Sequence, residues 1–308
     1  MKAHFTIAMQ PLFVLMWSSA FIAGIVGVGA APPMLVLLAR YAIAGALLLL
    51  YAYAVGARWP RGNELRHVVI AGLLMQIVQY GAFYTAMSQD VSAAIIALVQ
   101  GLNPVVIALF AGFLGETVTA RQWAGFGIGG LGVALAVAGQ ASFSATGLLL
   151  CVIGLLGLSI GTVYQKRYVP QVDSRASTAV HTVASAPIAA VLVISTGQFQ
   201  IWDLPRFAAS MTWMVLVTSM GAFLLLNAML RRWDATRVGR LFFATPAVTA
   251  LLAWLVIDQP LRPLTIAGLG VGLIGLVLAS HSRIIAERAE SQSRRGLVSP
   301  GFARSRGR

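Results

Sequence analysis

Long apolar runs, separated by short polar or basic stretches, follow one another along almost the whole chain. A helix that crosses a membrane needs roughly 20 mostly apolar residues. The pattern predicts ten such spans, near residues 5–27, 33–55, 67–88, 91–114, 121–139, 145–165, 177–196, 210–230, 235–257 and 262–281. The uncharged block from Gln122 to Gln165 is too long for one helix, and the turn-forming segment 139–147, GQASFSATG, divides it. The predicted fold is therefore an all-α integral membrane protein.

One stretch of this pattern occurs twice. With an offset of 142 residues, segment 103–116 aligns with segment 245–258, and five of the fourteen positions are identical. Pro104 then coincides with Pro246 near the start of a long apolar run. Such self-similarity at a fixed offset is the mark of an internal repeat.

A glycine-rich stretch extends the repeat and sets its limits. GFGIGGLGVALA at 125–136 aligns with GLGVGLIGLVLA at 268–279, and six of the twelve positions agree. We therefore predict a first five-helix repeat over 1–140 and a second over 141–282. The remaining residues, 283–308, form a basic tail that is expected to be cytoplasmic and disordered.

The positions of lysine and arginine predict the topology. With the N-terminus in the cytoplasm, the cytoplasmic segments hold nineteen of these residues, whereas the outer loops hold only Arg206 and Arg262. The excess predicts that both termini are cytoplasmic. Because five is an odd number, the second repeat enters the membrane in the opposite orientation. Inverted repeats are typical of transporters, whose related halves move around a shared central site.

Composition agrees with a membrane protein and argues against nucleic-acid binding. The chain is 58% hydrophobic and only 10% charged, and its mean hydropathy is +0.83. The net charge of +13 has no continuous basic face, because the basic residues lie in short loops and in the tail. The tail arginines either report topology alone or also contact anionic lipid.

No cofactor is predicted. The single cysteine, Cys151, permits neither an intrachain disulfide nor a multi-cysteine metal site. GIGGLG at 127–132 matches a dinucleotide-binding pattern, but it lies inside an apolar span with no preceding strand. Its glycines instead allow close helix packing. The sequence contains no Walker motif and no convergent acids or metal ligands, so we do not expect an enzyme.

Residues 81–137 and 221–279 each carry a proline-to-acid block followed by a glycine-rich helix. These blocks resemble the two copies of the third-to-fifth-span region in EamA-type transporters of the drug/metabolite transporter superfamily. WSSAFIAG at 17–24 and the arginine of LLARYAIAGALLLL, Arg40, also resemble family positions. The resemblance implies ten helices, a location in the bacterial cytoplasmic (inner) membrane, and carriage of small organic solutes, often outward.

Two prolines are the first candidates for a functional role. A proline within a helix cannot donate to the carbonyl four residues earlier, so Pro104 and Pro246 free the carbonyls of Gln100 and Phe242. In lipid such groups need another partner. Both prolines are expected either to kink the fourth and ninth helices around a cavity or to serve packing alone.

Polar side chains inside the spans predict the lining of that cavity. Neutral amides and phenols bind a zwitterion or a planar metabolite without placing a charge in the bilayer. The alternative for each is a hydrogen bond between helices. The candidates are Trp17, Ser19, Gln76, Gln79, Tyr80, Tyr84, Gln100, Asn103, Tyr164 and Asn227.

Charged residues near or inside the spans give further hypotheses. Arg240, six residues before Pro246, is expected either to bind an anionic solute in the cavity or to reach the cytoplasmic surface or Asp234. Arg40 has the same alternatives of pathway or structure. His181 is expected either to relay protons or to bond a neighbouring helix.

Acidic residues are confined to helix ends. Glu116 and Asp258 are predicted to act there as gate hinges that bond across helix ends to Arg121 and Arg262. No carboxylate lies in the middle of a span, which favours facilitated efflux or exchange over proton coupling.

The sequence as a whole predicts a secondary transporter of small organic metabolites or drugs, with outward movement of amino-acid-like solutes as the leading hypothesis. Its partners are a small-molecule solute and the lipid bilayer, and its oligomeric state stays open. A carrier of lipid-linked or nucleotide-sugar substrates on the same fold, and an integral-membrane enzyme, are the alternatives.

Overall fold

A computed structural model describes residues 2–113, 119–139, 144–233 and 238–296. Within these ranges the chain forms helices and connecting turns, as expected where lipid offers no hydrogen bonds to the backbone. The helices are α1 (Lys2–Val28), α2 (Pro33–Ala54), α3 (Asn63–Met87), α4 (Ala93–Gly101 and Asn103–Phe113), α5 (Ala120–Ala138), α6 (Ala145–Tyr168), α7 (Ser174–Thr196), α8 (Leu204–Leu230), α9 (Arg240–Ile257) and α10 (Pro263–Gly296).

Eight of these helices, all but α5 and α10, are long and apolar enough to cross a membrane. The apolar part of α10, Pro263–Ala279, is shorter, and α5 begins with Arg121 and Gln122 and is rich in glycine. Eight of the ten predicted spans are therefore candidate membrane helices by length and composition, and the full set of ten stays a prediction. Glu116, in the segment 114–118, lies outside the described residues.

Four helices contain irregular segments, and these segments fall at matching places in the two halves. α3 has a π-helical turn at Leu74–Val78, and α8 has one at Trp213–Ala222. α4 is interrupted at Leu102, and α9 begins with a 3₁₀ segment, Arg240–Ala244. Each of the last two precedes one of the repeated prolines. The two halves thus share local distortions as well as sequence.

The packing of the helices also follows the repeat, because several helices of one half make the same contacts as their counterparts in the other half. α1 packs against α8 and α9, and its counterpart α6 packs against α3 and α4. α3 packs against α7, and α8 against α2. The equivalent helices α2 and α7, α4 and α9, and α5 and α10 contact each other directly. The molecule is therefore organised about an approximate two-fold axis.

The closest of these contacts joins α5 to α10 through glycine. A Cβ atom added to Gly132 would lie 2.4 Å from the backbone nitrogen of Gly272, and one added to Gly275 would lie 2.4 Å from that of Gly129. Further along, Gly268 meets the backbone of Ala136. As residue numbers rise on α5 they fall on α10, so the two helices are antiparallel.

The connections between helices form two groups at opposite ends of the molecule. The side chain of Trp202, between α7 and α8, donates to the carbonyl of Gly29 at 2.7 Å. The hydroxyl of Ser144, before α6, donates to Gln89, after α3, at 3.2 Å. At the other end, the amide of Arg58 donates to Asp173 at 3.3 Å, which joins the α2–α3 and α6–α7 connections.

Charge differs sharply between these ends. We call the end that carries the α2–α3 and α6–α7 connections and the end of α8 the basic face, and the other end the opposite face. The basic face holds Arg58, Arg61, Arg66, Lys166, Arg167, Arg175, Arg231 and Arg232 among the described residues, and the opposite face holds Arg206 and Arg262.

Candidate functional site

A cavity of about 490 Å³ lies between the two halves. Both repeats contribute to its wall, through α1, α3 and α4 from the first and α6 to α9 from the second. Its lining includes Trp17, Met75, Gln76, Gln79, Tyr80, Ala97, Gln100, Gly101, Asn103, Pro104, Leu158, Thr178, His181, Phe223, Leu226, Gly239, Phe242, Phe243 and Thr245. This is the size range, about 300–1,000 Å³, in which proteins enclose small organic ligands.

The cavity lies toward the basic face. Thr178 is four residues from the start of α7, which is about 6 Å along a helix. Leu226 is four residues from the end of α8, and Gly239 precedes α9. A separate space of about 160 Å³ lies at the opposite face, beside Asp90 and Arg262, and shares no lining residue with the cavity.

Six of the predicted cavity residues do line this space: Trp17, Gln76, Gln79, Tyr80, Gln100 and Asn103. They come from α1, α3 and α4. Pro104 also lines the cavity, immediately after the interruption of α4. Its repeat counterpart, Pro246, is buried beside Gly101 instead, while the adjacent Thr245 faces the cavity.

The amides of the cavity are held in position by one another and by α6. The side-chain nitrogen of Gln79 donates to the side-chain oxygen of Gln100 at 3.2 Å. The hydroxyl of Ser159 donates to the side-chain oxygen of Asn103 at 2.8 Å. Each bond uses only part of an amide, which has two donors and one acceptor. Donors of Gln100 and Asn103 therefore remain for a solute.

Aromatic rings form the other wall. The rings of Trp17 and Phe242 meet edge to face at a centroid distance of 5.0 Å. Phe223 and Phe243 complete this side of the cavity. An amide wall facing an aromatic wall suits a solute that has both a polar head and an apolar body.

Five predicted cavity residues lie outside this lining, and four of them are described here. The hydroxyl of Ser19 accepts a bond from the indole of Trp213 at 2.8 Å, and Tyr164 bonds His67 at 2.7 Å. The side-chain oxygen of Asn227 accepts from Ser174 at 3.0 Å. Arg240 is exposed at the start of α9, and its role in anion binding stays a prediction.

Asp258 ends α9 in a left-handed conformation, with φ of 52°. The expected ion pair with Arg262 is not formed. The neighbouring Gln259 instead joins helices at this face, because its side-chain oxygen accepts from the amide of Ala93 at 3.2 Å. A gating role for Asp258 stays a prediction, and Glu116 lies outside the described residues.

Sequence reasoning left several wall residues out of the predicted lining. His181 and Thr178 lie three residues apart on α7 and both face the cavity, where a helical-face count applied to α7 would have found them. His181 bonds Ser177 at 3.2 Å on its own helix. Met75, Phe223, Phe242 and Phe243 carry no polar signal that separates them from ordinary core residues.

The predicted lining also leaves out Arg40. It lines a smaller space of about 50 Å³ that shares Trp17, Tyr80 and Gln100 with the cavity. Tyr84, a predicted cavity residue, lies in this smaller space and not in the main one.

Within the described part of the chain, no group of three or more histidine, cysteine, aspartate or glutamate side chains is arranged to hold a metal ion.

Comparison with known proteins places these features in a family. YedA of Escherichia coli, described as an uncharacterized inner membrane transporter, is 25% identical over 90% of this chain and 91% of its own. YvbV of Bacillus subtilis, described as an uncharacterized transporter, is 23% identical over 86% of this chain and 88% of its own. A solved crystal structure shares the fold, with a TM-score of 0.64 and 22% identity over 92% of this chain and 98% of that one.

The family match itself occurs twice along the chain. The EamA-like transporter family matches residues 5–138 and again residues 145–281, which together make up most of the 308 residues. Each match contains one of the two repeated proline blocks and one of the two glycine helices. The chain belongs to the EamA-like transporter family.

Proposed function

We propose that this protein is a secondary transporter that moves small organic metabolites or drugs, foremost amino-acid-like solutes, outward across the bacterial cytoplasmic membrane by alternating access. The observation that carries the proposal is the cavity of about 490 Å³, whose wall is shared by both repeats. A site between two related halves is exposed to either side when one half moves against the other. The inner-membrane location of the relative YedA supports the proposed membrane.

The topology belongs to the same proposal. We assign the basic face to the cytoplasm, because cytoplasmic loops are enriched in lysine and arginine. Both termini are then cytoplasmic, all ten helices cross the membrane, and the repeats 1–140 and 141–282 are inverted. The antiparallel contact of α5 with α10 supports this inversion. With this assignment, the cavity lies toward the cytoplasm and the structure corresponds to an inward-facing state.

The chemistry of the wall supports a small organic solute with a polar head. Free amide donors of Gln100 and Asn103 provide hydrogen bonds, and the rings of Trp17 and Phe242 provide an apolar surface. The distortions of α4 and α9 lie beside the cavity, where a local change in helix geometry alters the shape of the site. Movement of these two helices is the step we propose for closing the cytoplasmic side.

Counterflow in proteoliposomes tests the proposal. Purified protein is reconstituted with a high internal concentration of one unlabelled solute, and uptake of a trace of the same labelled solute is followed. The panel contains amino acids, organic acids, nucleosides and cationic drugs. We expect transient accumulation of one chemical class.

Two variants on α7 provide a matched control. Thr178→Trp places a large ring in the cavity, whereas Val191→Trp places it on a surface that is 61% exposed outside the cavity. Counterflow should be lost in the first variant and kept in the second. If folded wild-type protein gives no counterflow across the panel, the proposal fails, and a lipid-linked substrate becomes the better hypothesis.

A further inference from the structure

The small space beside the main cavity contains a single positive charge. It is lined by Arg40 together with aromatic and polar side chains from α1, α3, α4 and α8, and it opens toward the cavity through shared residues. Arg40 lies seven residues from the start of α2, about 10 Å along the helix from the opposite face. Tyr84 lies three residues from the end of α3 at that same face. The space is therefore the end of the cavity farthest from the basic face.

Arg40 has neutral partners only. Its Nη1 donates to the hydroxyl of Tyr84 at 3.1 Å, and its Nε donates to the hydroxyl of Ser219 at 3.4 Å. The guanidinium carbon lies 4.8 Å from the centre of the Tyr80 ring. The ion pairs found among the described residues do not include Arg40. A charge in the membrane interior normally has a counter-charge or marks a pathway.

The guanidinium also has unused hydrogen-bonding capacity. It offers five N–H donors, and the bonds to Tyr84 and Ser219 occupy two of them. The hydroxyl of Tyr80 and the indole N–H of Trp17 have no hydrogen-bond partner in the described part of the chain, and both side chains line the same space. Several donors without a partner among the described residues therefore converge on the same space.

We propose that Arg40 forms an anion subsite of the cavity, where it binds the carboxylate of the transported solute. Arginine presents a planar pair of N–H groups that matches a carboxylate and makes two parallel bonds with it. The space of about 50 Å³ holds a carboxylate head but not a whole solute. The body of the solute then extends past Gln100 into the main cavity, against the aromatic wall.

This inference rests on the proposed transport function and narrows its substrate class. The preferred solutes are monocarboxylates or amino acids with an apolar or aromatic body. An amide in place of the carboxylate removes the negative charge while keeping nearly the same shape. Matched acid and amide pairs therefore isolate the contribution of Arg40.

The test is competition in the counterflow assay and in binding. The probes are L-phenylalanine with L-phenylalaninamide, L-leucine with L-leucinamide, and 3-phenylpropanoate with 3-phenylpropanamide. We expect the acids to be exchanged at least about tenfold better than the amides, because a hydrogen bond to a charged group is the interaction that is lost. The same acids should raise the thermal unfolding temperature of wild-type protein in detergent, and the amides should not.

Variants then assign the selectivity to Arg40. Arg40→Gln should remove the preference for acids, and Arg40→Lys should retain part of it, since it keeps the charge without the paired geometry. Tyr84→Phe removes a hydroxyl to which the guanidinium donates and should weaken the preference less than Arg40→Gln does. Arg61→Gln, which changes an exposed arginine of the basic face outside the cavity lining, is the matched control and should exchange acids as the wild type does.

The possible outcomes distinguish failure of the proposed subsite from failure of the proposed transport function. Equal exchange of acids and amides by wild-type protein, or exchange only of solutes without a carboxylate, overturns the subsite while the carrier stands. If folded Arg40→Gln loses the exchange of all solutes equally, Arg40 only links α2, α3 and α8 structurally, and the proposed subsite is again overturned. Absence of counterflow for every solute overturns both, and the binding measurement on wild-type protein decides the matter if Arg40→Gln does not fold.

Discussion

At the scale of single residues, Asp173 shows how the basic face is held together. It caps α7 and accepts two bonds from the side chain of Arg175, at 2.9 and 2.6 Å, as well as the amide of Arg58. These bonds lower the pKa of the Asp173 carboxyl from 3.8 to about 2, and the bond from the Arg175 side chain has the largest effect. One carboxylate thus joins two connections that come from different repeats.

Replacement of Asp173 should destabilise the protein in a graded way. Asp173→Asn keeps a good helix cap and loses the charge interaction, so we expect a cost of up to about 1 kcal/mol. Asp173→Ala also loses the cap, which costs about 1 kcal/mol more. Thermal unfolding in detergent at neutral pH measures both. Equal unfolding temperatures for wild type and Asp173→Ala would show that the contact contributes nothing.

The same residue gives a pH dependence with a defined sign. Because the pKa is lower in the folded state than in the unfolded state, the stabilisation is present above about pH 4 and is lost as pH falls toward about 2. The difference in unfolding temperature between wild type and Asp173→Asn should shrink across this interval. A difference that is constant from pH 6 to pH 3 would contradict the assignment.

At the residue scale, polarity within the spans points to residues that the structure places in one cavity wall. Gln76, Gln79 and Tyr80 share one face of α3, and all of them line the cavity. Polarity gives no sign that Ser19 and Tyr164, which are also inside spans, bond Trp213 and His67, because these partners are distant in sequence. Only the tertiary structure distinguishes a hydrogen bond between helices from a free polar group.

At the scale of helices, the α5–α10 contact depends on the absence of side chains. Gly132 faces the backbone of Gly272, so an added methyl group meets atoms that move only if the whole helix moves. Gly130, two residues away on α5, has nothing within 4 Å of its added Cβ. The same substitution on the same helix should therefore have opposite effects at these two positions.

We expect Gly132→Ala to destabilise the protein by about 1–3 kcal/mol through overpacking. Gly130→Ala should be neutral or slightly stabilising, because alanine favours a helix over glycine by up to about 1 kcal/mol. Gly275→Ala, the counterpart of Gly132→Ala, should resemble it, since its Cβ meets the backbone of Gly129. Unfolding temperatures in detergent measure all three. Similar values for Gly132→Ala and Gly130→Ala would exclude this tight contact.

The sequence revealed these glycines through their repeat, but it revealed the helix distortions only in part. Pro104 and Pro246 predicted disturbance of α4 and α9, and an interruption or a 3₁₀ segment precedes each. The π-helical turns of α3 and α8 contain no proline. No local pattern in the sequence marks them.

At the scale of the whole molecule, the proposed topology predicts which positions face each side. Cys151 is the only cysteine and is buried, so its replacement by alanine gives a background free of thiols. In intact cells, an impermeant maleimide should label Thr146→Cys and Gln198→Cys. It should label Asn63→Cys and Ser305→Cys only after permeabilisation. Labelling of Thr146→Cys and Ser305→Cys from the same side would overturn the ten-span arrangement.

The all-helical fold was accessible from the sequence because lipid imposes long apolar helices. The orientation, inferred from the bias in loop charges, stays a proposal. The end of the cavity around Arg40 was harder to predict from the sequence. Arg40 looked like either a structural arginine or a pathway residue until Tyr84, Ser219 and Tyr80 were seen around it. These partners come from two different helices, and their convergence is a property of the tertiary structure.

The contact of α5 with α10 is reciprocal, as in the interface of a symmetric dimer. Gly132 meets Gly272 while Gly275 meets Gly129, so each partner presents the same patch to the other. Two identical subunits around a two-fold axis form an interface of this kind, in which every contact is made twice. A single polypeptide thus contains the kind of interface that two identical subunits form through a pair of antiparallel helices. Because both halves belong to one chain, each can carry residues that the other lacks: α7, the counterpart of α2, has no arginine after Arg175 that would match Arg40.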